Sequence, residues 1–273
     1  MGAALAKELG WEFVDLDAEF EKHAGSTITA FFSEKGEDAF RAEEAELAKQ
    51  LLGGRRKSDL IAALGGGALE HAETRERLRQ GGVTVVLLDV DPEVAWRRVA
   101  RSGRPLATSK ECFVDLWQRR QPAYKEVATW VFPAQDQYVE EIAAQLSELV
   151  QSAGDLWSNL WGRKLPGIPR SSLILGGKGA RAFLREKSSR AKDAGTVFHV
   201  VSDANVMTAW GESVLSLLGE GADSQSYVVT PGEVSKSVTT LEGCWDWLAE
   251  RKARRNDIVM APVSYTHLTL PTN

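Results

Sequence analysis

The 273-residue chain is predicted to fold as two α/β units in tandem, each a largely parallel sheet carrying helices on both faces. Three observations carry this. Apolar runs such as "VTVVLLDV" (83–90) alternate with stretches of helical period, and strands without polar alternation belong to sheets covered on both faces. The strand runs are separated by helical segments, as parallel crossovers require. Midway, "SAGDLWSNLWGRKLPGIPRSS" carries Gly154, Gly162, Pro166, Gly167 and Pro169 with no clean period and reads as a linker, after which the alternation restarts.

Element by element, Gly2 to Leu9 reads as a helix stopped by Gly10, and "WEFVD" as a strand. Three helical pieces follow without a strand: "AEFEKHAG", "TITAFFSEKG" and "EDAFRAEEAELAKQLL". Such a block projects from a sheet as a substrate-binding insert. "DLIAAL" is a strand running into Gly65-Gly66-Gly67, and "DPEVAWRRVAR" is a helix with Pro92 near its first turn. A polar loop from Ser102 to Glu111 leads to helix "FVDLWQRR", then a turn and helix "QPAYKEVA", strand "TWVF" and an amphipathic helix from about Gln137 to Gln151. Beyond the linker come strand "SLIL", a helix from about Ala180 to Arg190, strand "TVFHVVS", helix "NVMTAWGESVLSLLGEG", strand "SYVVT", a helix from about Val234 to Arg254, and strand "DIVMA".

Composition narrows the function classes. A formal net charge of −5 gives no global attraction to phosphate backbones or anionic membranes, which argues against nucleic acid as the partner. No run approaches the roughly 20 apolar residues of a membrane span. Lys7 and Glu8 stand where a signal peptide stays apolar. Cys112 and Cys244 form neither a disulfide framework nor a metal spacing. These features together read as a soluble, cytoplasmic protein.

In a parallel sheet, ligands gather at the carboxyl ends of the strands. Asp15 and Asp17 sit at such an end, two apart, so both side chains share a direction if the strand persists. One would associate with magnesium and the other would orient or deprotonate a substrate hydroxyl. The plainer reading of such an aspartate is a helix cap. Gly65, Gly66 and Gly67 allow backbone N–H groups to approach a ligand. Arg41 and Arg120 are cations suited to clamp a carboxylate, although Arg41 with Glu37 and Glu44 is also a plain helix pairing. Arg104 opens the polar loop, where a mobile lid would bring it onto transferring phosphate.

"GWEFVDLDAEFEKHAGSTITAFFSEKGEDAFRAEEAEL", "LGGGA", "RPL" and "RRQPAYKEVA", in this order, resemble shikimate kinase over Met1 to about Gln151. The resemblance implies a P-loop-kinase-like parallel sheet, ATP and Mg2+, and phosphorylation of shikimate. It places Asp15 near the magnesium, Asp17 on the shikimate hydroxyl, Arg41 and Arg120 on the shikimate carboxylate, Gly65 to Gly67 against the substrate, and Arg104 at the ATP phosphates. The family's first strand and G-x-x-x-x-G-K-[ST] loop find no match: no Gly-Lys-Ser/Thr occurs in the 273 residues, and Gly2 aligns just beyond that loop. The expectation is an N-terminally truncated kinase domain over 1–152 and a linker over 153–170.

"SLILGGKGA", "VVSDANVMTAWGE", "VVTPGEVSKSVTTLEGCWDWLAE" and "RRNDIVMA" resemble the N-terminal part of 3-dehydroquinate synthase, over 171–261. This implies a partial α/β nucleotide-binding domain in which Asp203, Asn205, Glu233 and Lys236 line an NAD site. The divalent metal of the complete synthase, Zn2+, would have its ligands beyond this segment. The plainer readings are an N-cap for Asp203 and a local ion pair for Glu233 with Lys236. Residues 262–273, uncharged and out of pattern, read as a non-native tail, and His267 there has no partners at metal spacing. The resulting function is a shikimate kinase fused to a synthase fragment in aromatic amino acid biosynthesis. Two alternatives stand beside it: a catalytically inactive shikimate-binding module, and another small-molecule P-loop kinase, such as a gluconate kinase relative.

Overall fold

A computed structural model describes residues 1–53, 59–80, 83–100, 109–135, 138–154, 157, 160–165, 172–177, 179–193, 195–219 and 226–263. The chain divides into two compact units, Met1–Lys178 and Gly179–Asn273.

In the first unit, α1 (Gly2–Leu9) stops where Gly10 adopts a left-handed φ of 71°, a conformation that costs glycine little. Strand β1 (Glu12–Asp15) pairs in parallel with β2 (Leu60–Ala63), from Glu12↔Leu60 to Asp15↔Ala63. Between them run α2 (Leu16–Ala24) and α3 (Ile28–Gly53). The second of these is two helices meeting at Gly36, whose φ of 81° breaks the helical dihedrals at the predicted boundary. Phe20 of α2 packs edge-on to Phe31 with ring centroids 5.0 Å apart, and lies 4.8 Å from Phe40, so one aromatic cluster fastens both halves of α3. A second cluster of Leu16, Ala48 and Ala68 ties the second half of α3 to the turn after β2. The insert is thereby held against the glycine loop.

That loop passes through a 3-10 turn (Ala68–Glu70) into α4 (Ala72–Gln80), β3 (Val86–Asp89) and α5 (Pro92–Val99). After it come α6 (Lys110–Val127), β4 (Trp130–Pro133) and α7 (Val139–Ala153). β3 and β4 are parallel, from Val86↔Trp130 to Asp89↔Pro133. The expected turn before Pro122 does not form, because α6 is continuous through it. Proline removes one helical hydrogen bond. Packing of Ala123, Tyr124 and Val127 against Leu69 and Leu78 holds the helix after the gap, and the Phe113 ring 5.7 Å from Trp96 holds it before.

The predicted linker is also corrected. Its residues Trp161–Leu165 form β5, parallel to β4, and β6 (Ser172–Gly176) returns antiparallel to β5 from Trp161↔Gly176 to Leu165↔Ser172. The strand "SLIL" thus belongs to the first unit's sheet rather than opening the second. Gly162 looked like linker flexibility, but a Cβ there would meet the Trp130 ring and the Ile174 carbonyl, so it is a close-packing glycine. Trp130, fully buried, stacks on Trp157 at 4.8 Å and closes this corner.

The second unit has α8 (Ala180–Asp193), β7 (Phe198–Asp203), α9 (Ala204–Leu218), β8 (Ser226–Val229), a 3-10 turn (Glu233–Ser235), α10 (Val238–Glu250) and β9 (Ile258–Met260). Its sheet is wholly parallel, with β7 between β8 and β9. The last long helix starts later than the expected Val234, because the Ser237 side chain accepts the Thr240 N–H and caps it there. Asp257, just before β9, accepts N–H bonds from Val197 (3.1 Å) and Arg254 (2.7 Å) and faces His199 Nε2 at 3.4 Å. Among the described residues, no helix is long and apolar enough to cross a membrane. Arg104, His267 and most of the proposed tail lie outside the described residues.

Candidate active site

At the carboxyl ends of β1 and β2 the two aspartates part company. The strand ends at Asp15, whose Oδ1 accepts the N–H groups of Asp17 (3.0 Å) and Ala18 (3.4 Å) and so caps α2. Asp17 belongs to the first turn of α2, and the strand alternation expected to align the pair does not reach it. Helix geometry instead turns Asp17 towards the glycine loop. A Cβ built on Gly65 would lie 2.7 Å from Asp17 Oδ1 and 2.6 Å from Glu44 Oε1. Two carboxylates from separate helices therefore converge over a residue that has no side chain.

Arg41 sits one turn before Glu44 and donates from Nη1 to Glu44 Oε2 at 2.7 Å, with Glu37 Oε1 3.4 Å from Nη2. Its guanidinium fills the space a Cβ on Gly67 would need. From α6, Arg120 Nε donates to Glu70 Oε1 at 2.5 Å. One turn later the Tyr124 hydroxyl donates to the Gly66 carbonyl at 2.6 Å, pinning the loop from the far side. Arg41 and Arg120 side chains are 12% and 13% exposed, low enough to strengthen charge interactions there. Two of their donors, Arg41 Nε and Arg120 Nη2, are buried without a hydrogen-bond partner among the described residues. Buried N–H groups of this kind call for an acceptor.

The electrostatics follow from burial. Desolvation by itself would lower the Arg41 pKa, but the Glu44 hydrogen bond and the charges of Glu44, Glu70 and Glu37 outweigh it, and the net shift is upward. Burial dominates at Glu44 and raises its carboxyl despite Arg41. Burial likewise raises the Tyr124 phenol, which stays a neutral donor to Gly66. Two cations with unused N–H groups face two carboxylates across a bare backbone. That arrangement suits a small ligand bearing one carboxylate and several hydroxyls.

A family model described as shikimate kinase matches residues 1–151, which contain every residue of this site. The chain belongs to the shikimate kinase family. The shikimate kinase of Histophilus somni is 33% identical over 157 residues, covering 56% of this chain and 87% of that protein. That of Thermobifida fusca is 36% identical over 158 residues, covering 57% and 89%. A solved shikimate kinase from Acinetobacter baumannii in complex with shikimate is 33% identical, covers 56% of this chain and 86% of its own, and superposes with a TM-score of 0.52. The fold of the first unit is accordingly that of a shikimate kinase, an α/β P-loop kinase architecture.

Of the residues singled out in sequence, the fold brings together Asp17, Arg41, Gly65, Gly66, Gly67 and Arg120, with Asp15 at the edge of this cluster as a cap. Family membership implies ATP and Mg2+. Asp15 Oδ1 is committed to capping, and no group of three or more His, Cys, Asp or Glu among the described residues could hold a metal. Glu44, Glu70 and Tyr124 escaped the sequence reading as site residues. Their signals were present as Arg41 to Glu44 and Arg120 to Tyr124 helical spacings, while Glu70 reaches Arg120 only through the fold.

The residues assigned to the second unit lie apart from one another in role. Asp203 Oδ1 accepts the Val206 N–H at 2.9 Å and caps α9, Asn205 is exposed in the following turn, and Lys236 Nζ bonds Glu233 Oε1 at 2.7 Å. Asp203 thus has the capping role and Glu233 with Lys236 the local ion pair that are their plainer readings.

The glycine loop makes a graded prediction. Gly67→Ala should displace Arg41 and cost about 2 kcal/mol, in the range of an overpacked core site. Gly66→Ala, whose Cβ would stand 3.3 Å from Arg120 Nη1, should cost less than about 1 kcal/mol. Urea unfolding of both variants checks the order, and equal costs would contradict it.

Proposed function

We propose that the first unit binds shikimate over Gly65 to Gly67, with its carboxylate between Arg41 and Arg120 and a ring hydroxyl on Asp17, as the acceptor site of a shikimate kinase. The observation that carries this is the convergence of Arg41, Arg120 and Asp17 on one bare loop, with Arg41 Nε and Arg120 Nη2 still lacking acceptors among the described residues. Asp17 orients the hydroxyl and takes up its proton, and Glu44 holds Arg41 in place. ATP with Mg2+ supplies the phosphoryl group in this family, and Arg104 is the proposed lid contact to it. The unpaired Cys112 and Cys244 are in keeping with a cytoplasmic setting.

Calorimetric titration of the 273-residue chain with shikimate tests the acceptor site. Asp17→Asn should weaken binding about tenfold through loss of one charge-assisted hydrogen bond. Tighter binding of gluconate or another polyol acid would remove shikimate as the acceptor. An ATP turnover assay on the same chain separates a kinase from a binding module. The family match favours the kinase over both alternatives.

For residues 171–261 we propose the N-terminal part of a 3-dehydroquinate synthase, on the strength of the four quoted motifs. Asp203 at the carboxyl end of β7, together with Asn205, Glu233 and Lys236, would face NAD; Zn2+ would belong to the complete synthase. Titration with NAD tests this, and formation of dehydroquinate by this chain would overturn the fragment reading.

A further inference from the structure

The two arginines assigned to the acceptor's carboxylate are already facing a carboxylate. Glu70 is the last residue of the 3-10 turn that follows the glycines, and its N–H bonds the Gly67 carbonyl at 2.9 Å. This turn projects the side chain between the guanidinium groups. Oε1 accepts from Arg120 Nε at 2.5 Å, and Oε2 stands 4.0 Å from Arg41 Nε. One oxygen thus addresses each arginine, as the oxygens of a bound carboxylate would. The two sides of this contact are unequal: the arginines are 12% and 13% exposed, whereas Glu70 is 41% exposed and sits on a short turn. Glu44 is different, being 4% exposed and directly bonded to Arg41, so it is part of the scaffold.

We infer that Glu70 is an internal competitor for the acceptor's carboxylate, an inference that rests on the acceptor reading above. Its carboxylate pairs with Arg120 and stands beside Arg41, which Glu44 already bonds, while the site is empty. It must swing outward on its turn when a ligand carboxylate arrives. The exchange trades one carboxylate for another and conserves charge at the pair, so Arg120 keeps a carboxylate partner throughout. The cost falls on affinity, because an incoming anion gains only the difference between its contacts and those of Glu70. The ligand must also satisfy the two donors Glu70 leaves unbonded, Arg41 Nε and Arg120 Nη2, which favours a rigid acid spanning both arginines over a small mobile anion.

Calorimetry on the full chain tests this with shikimate and with its methyl ester, which lacks the carboxylate charge. Glu70→Gln and Glu70→Ala should each tighten shikimate by roughly three- to tenfold, the scale of a partly exposed ion pair, and leave the ester's affinity unchanged. Glu73→Gln, which removes the same charge from the exposed face of α4, should leave both affinities as they were. Shikimate binding that is unchanged or weaker in both Glu70 variants overturns the inference and leaves the acceptor site standing. So does equal tightening by Glu73→Gln, or tightening of the ester. Absence of shikimate binding in the parent chain and in all three variants overturns the acceptor reading, and Glu70's role with it.

Discussion

Arg41→Ala is expected to destabilise the first unit by about 3–5 kcal/mol and to weaken shikimate binding by roughly two orders of magnitude. The two effects have different origins. The stability loss arises at Glu44, whose side chain is 4% exposed and loses the cation that it bonds at 2.7 Å, Arg41. The carboxyl is already raised by burial, and removing Arg41 raises it further, so the variant should recover stability as the pH falls and Glu44 is protonated. The binding loss arises because a ligand carboxylate keeps only Arg120. The double variant Arg41→Ala/Glu44→Gln separates them, since it removes the orphaned charge without restoring a cation. It should regain most of the stability and none of the affinity. Urea unfolding and calorimetry read the two quantities independently, and a single variant as stable as the parent would contradict the buried-pair account.

The second large effect lies in the other unit. Asp257→Asn should cost about 3 kcal/mol at neutral pH, because Asp257 is 4% exposed and takes hydrogen bonds from two backbone N–H groups and from Arg254. Burial opposes its charge most strongly, but those bonds and His199 outweigh burial and hold its carboxyl well below the usual carboxylate range. A carboxyl lowered on folding contributes stability above its unfolded pKa near 4, and that contribution is lost as the pH falls towards the folded value. The parent should therefore lose stability in its second unit progressively below about pH 5. The Asn variant should show a flatter acid limb. Urea unfolding between about pH 3 and 7 measures both slopes, and coincident slopes would show that Asp257 does not set the acid sensitivity.

Much of the local structure was legible in the residues. Gly10 and Gly36 mark helix boundaries because each takes a positive φ that breaks the helical run, and glycine reaches it freely. The apolar runs at 60–63, 86–89 and 198–203 became parallel strands because residues without alternation need cover on both faces. Two readings failed for one shared reason. Pro122 and the Gly/Pro-rich 153–170 stretch both looked like breaks, yet one lies inside α6 and the other contains β5. Local propensity is worth about 1–3 kcal/mol, and packing of Tyr124, Val127 and Trp130 exceeds it. Gly162 is the sharpest case, since its missing side chain makes room for an indole rather than for motion.

The chemistry divides along the same line. Sequence alone determined which residue types were at hand: a paired aspartate, three glycines after a strand, and arginines at 41 and 120 in an order that resembles one kinase family. Spacing along one helix also made the Arg41–Glu44 contact foreseeable, because residues three apart share a helical face. Only the tertiary structure decided what those residues do together. It spent Asp15 on a cap and sent Asp17 to the glycine loop, because the strand ended at Asp15, two residues short of what alternation required. It also brought Glu70 within 2.5 Å of Arg120 across fifty positions of chain. No local rule contains that contact, since it depends on how α6 packs against the turn after β2, and packing is a property of the whole fold.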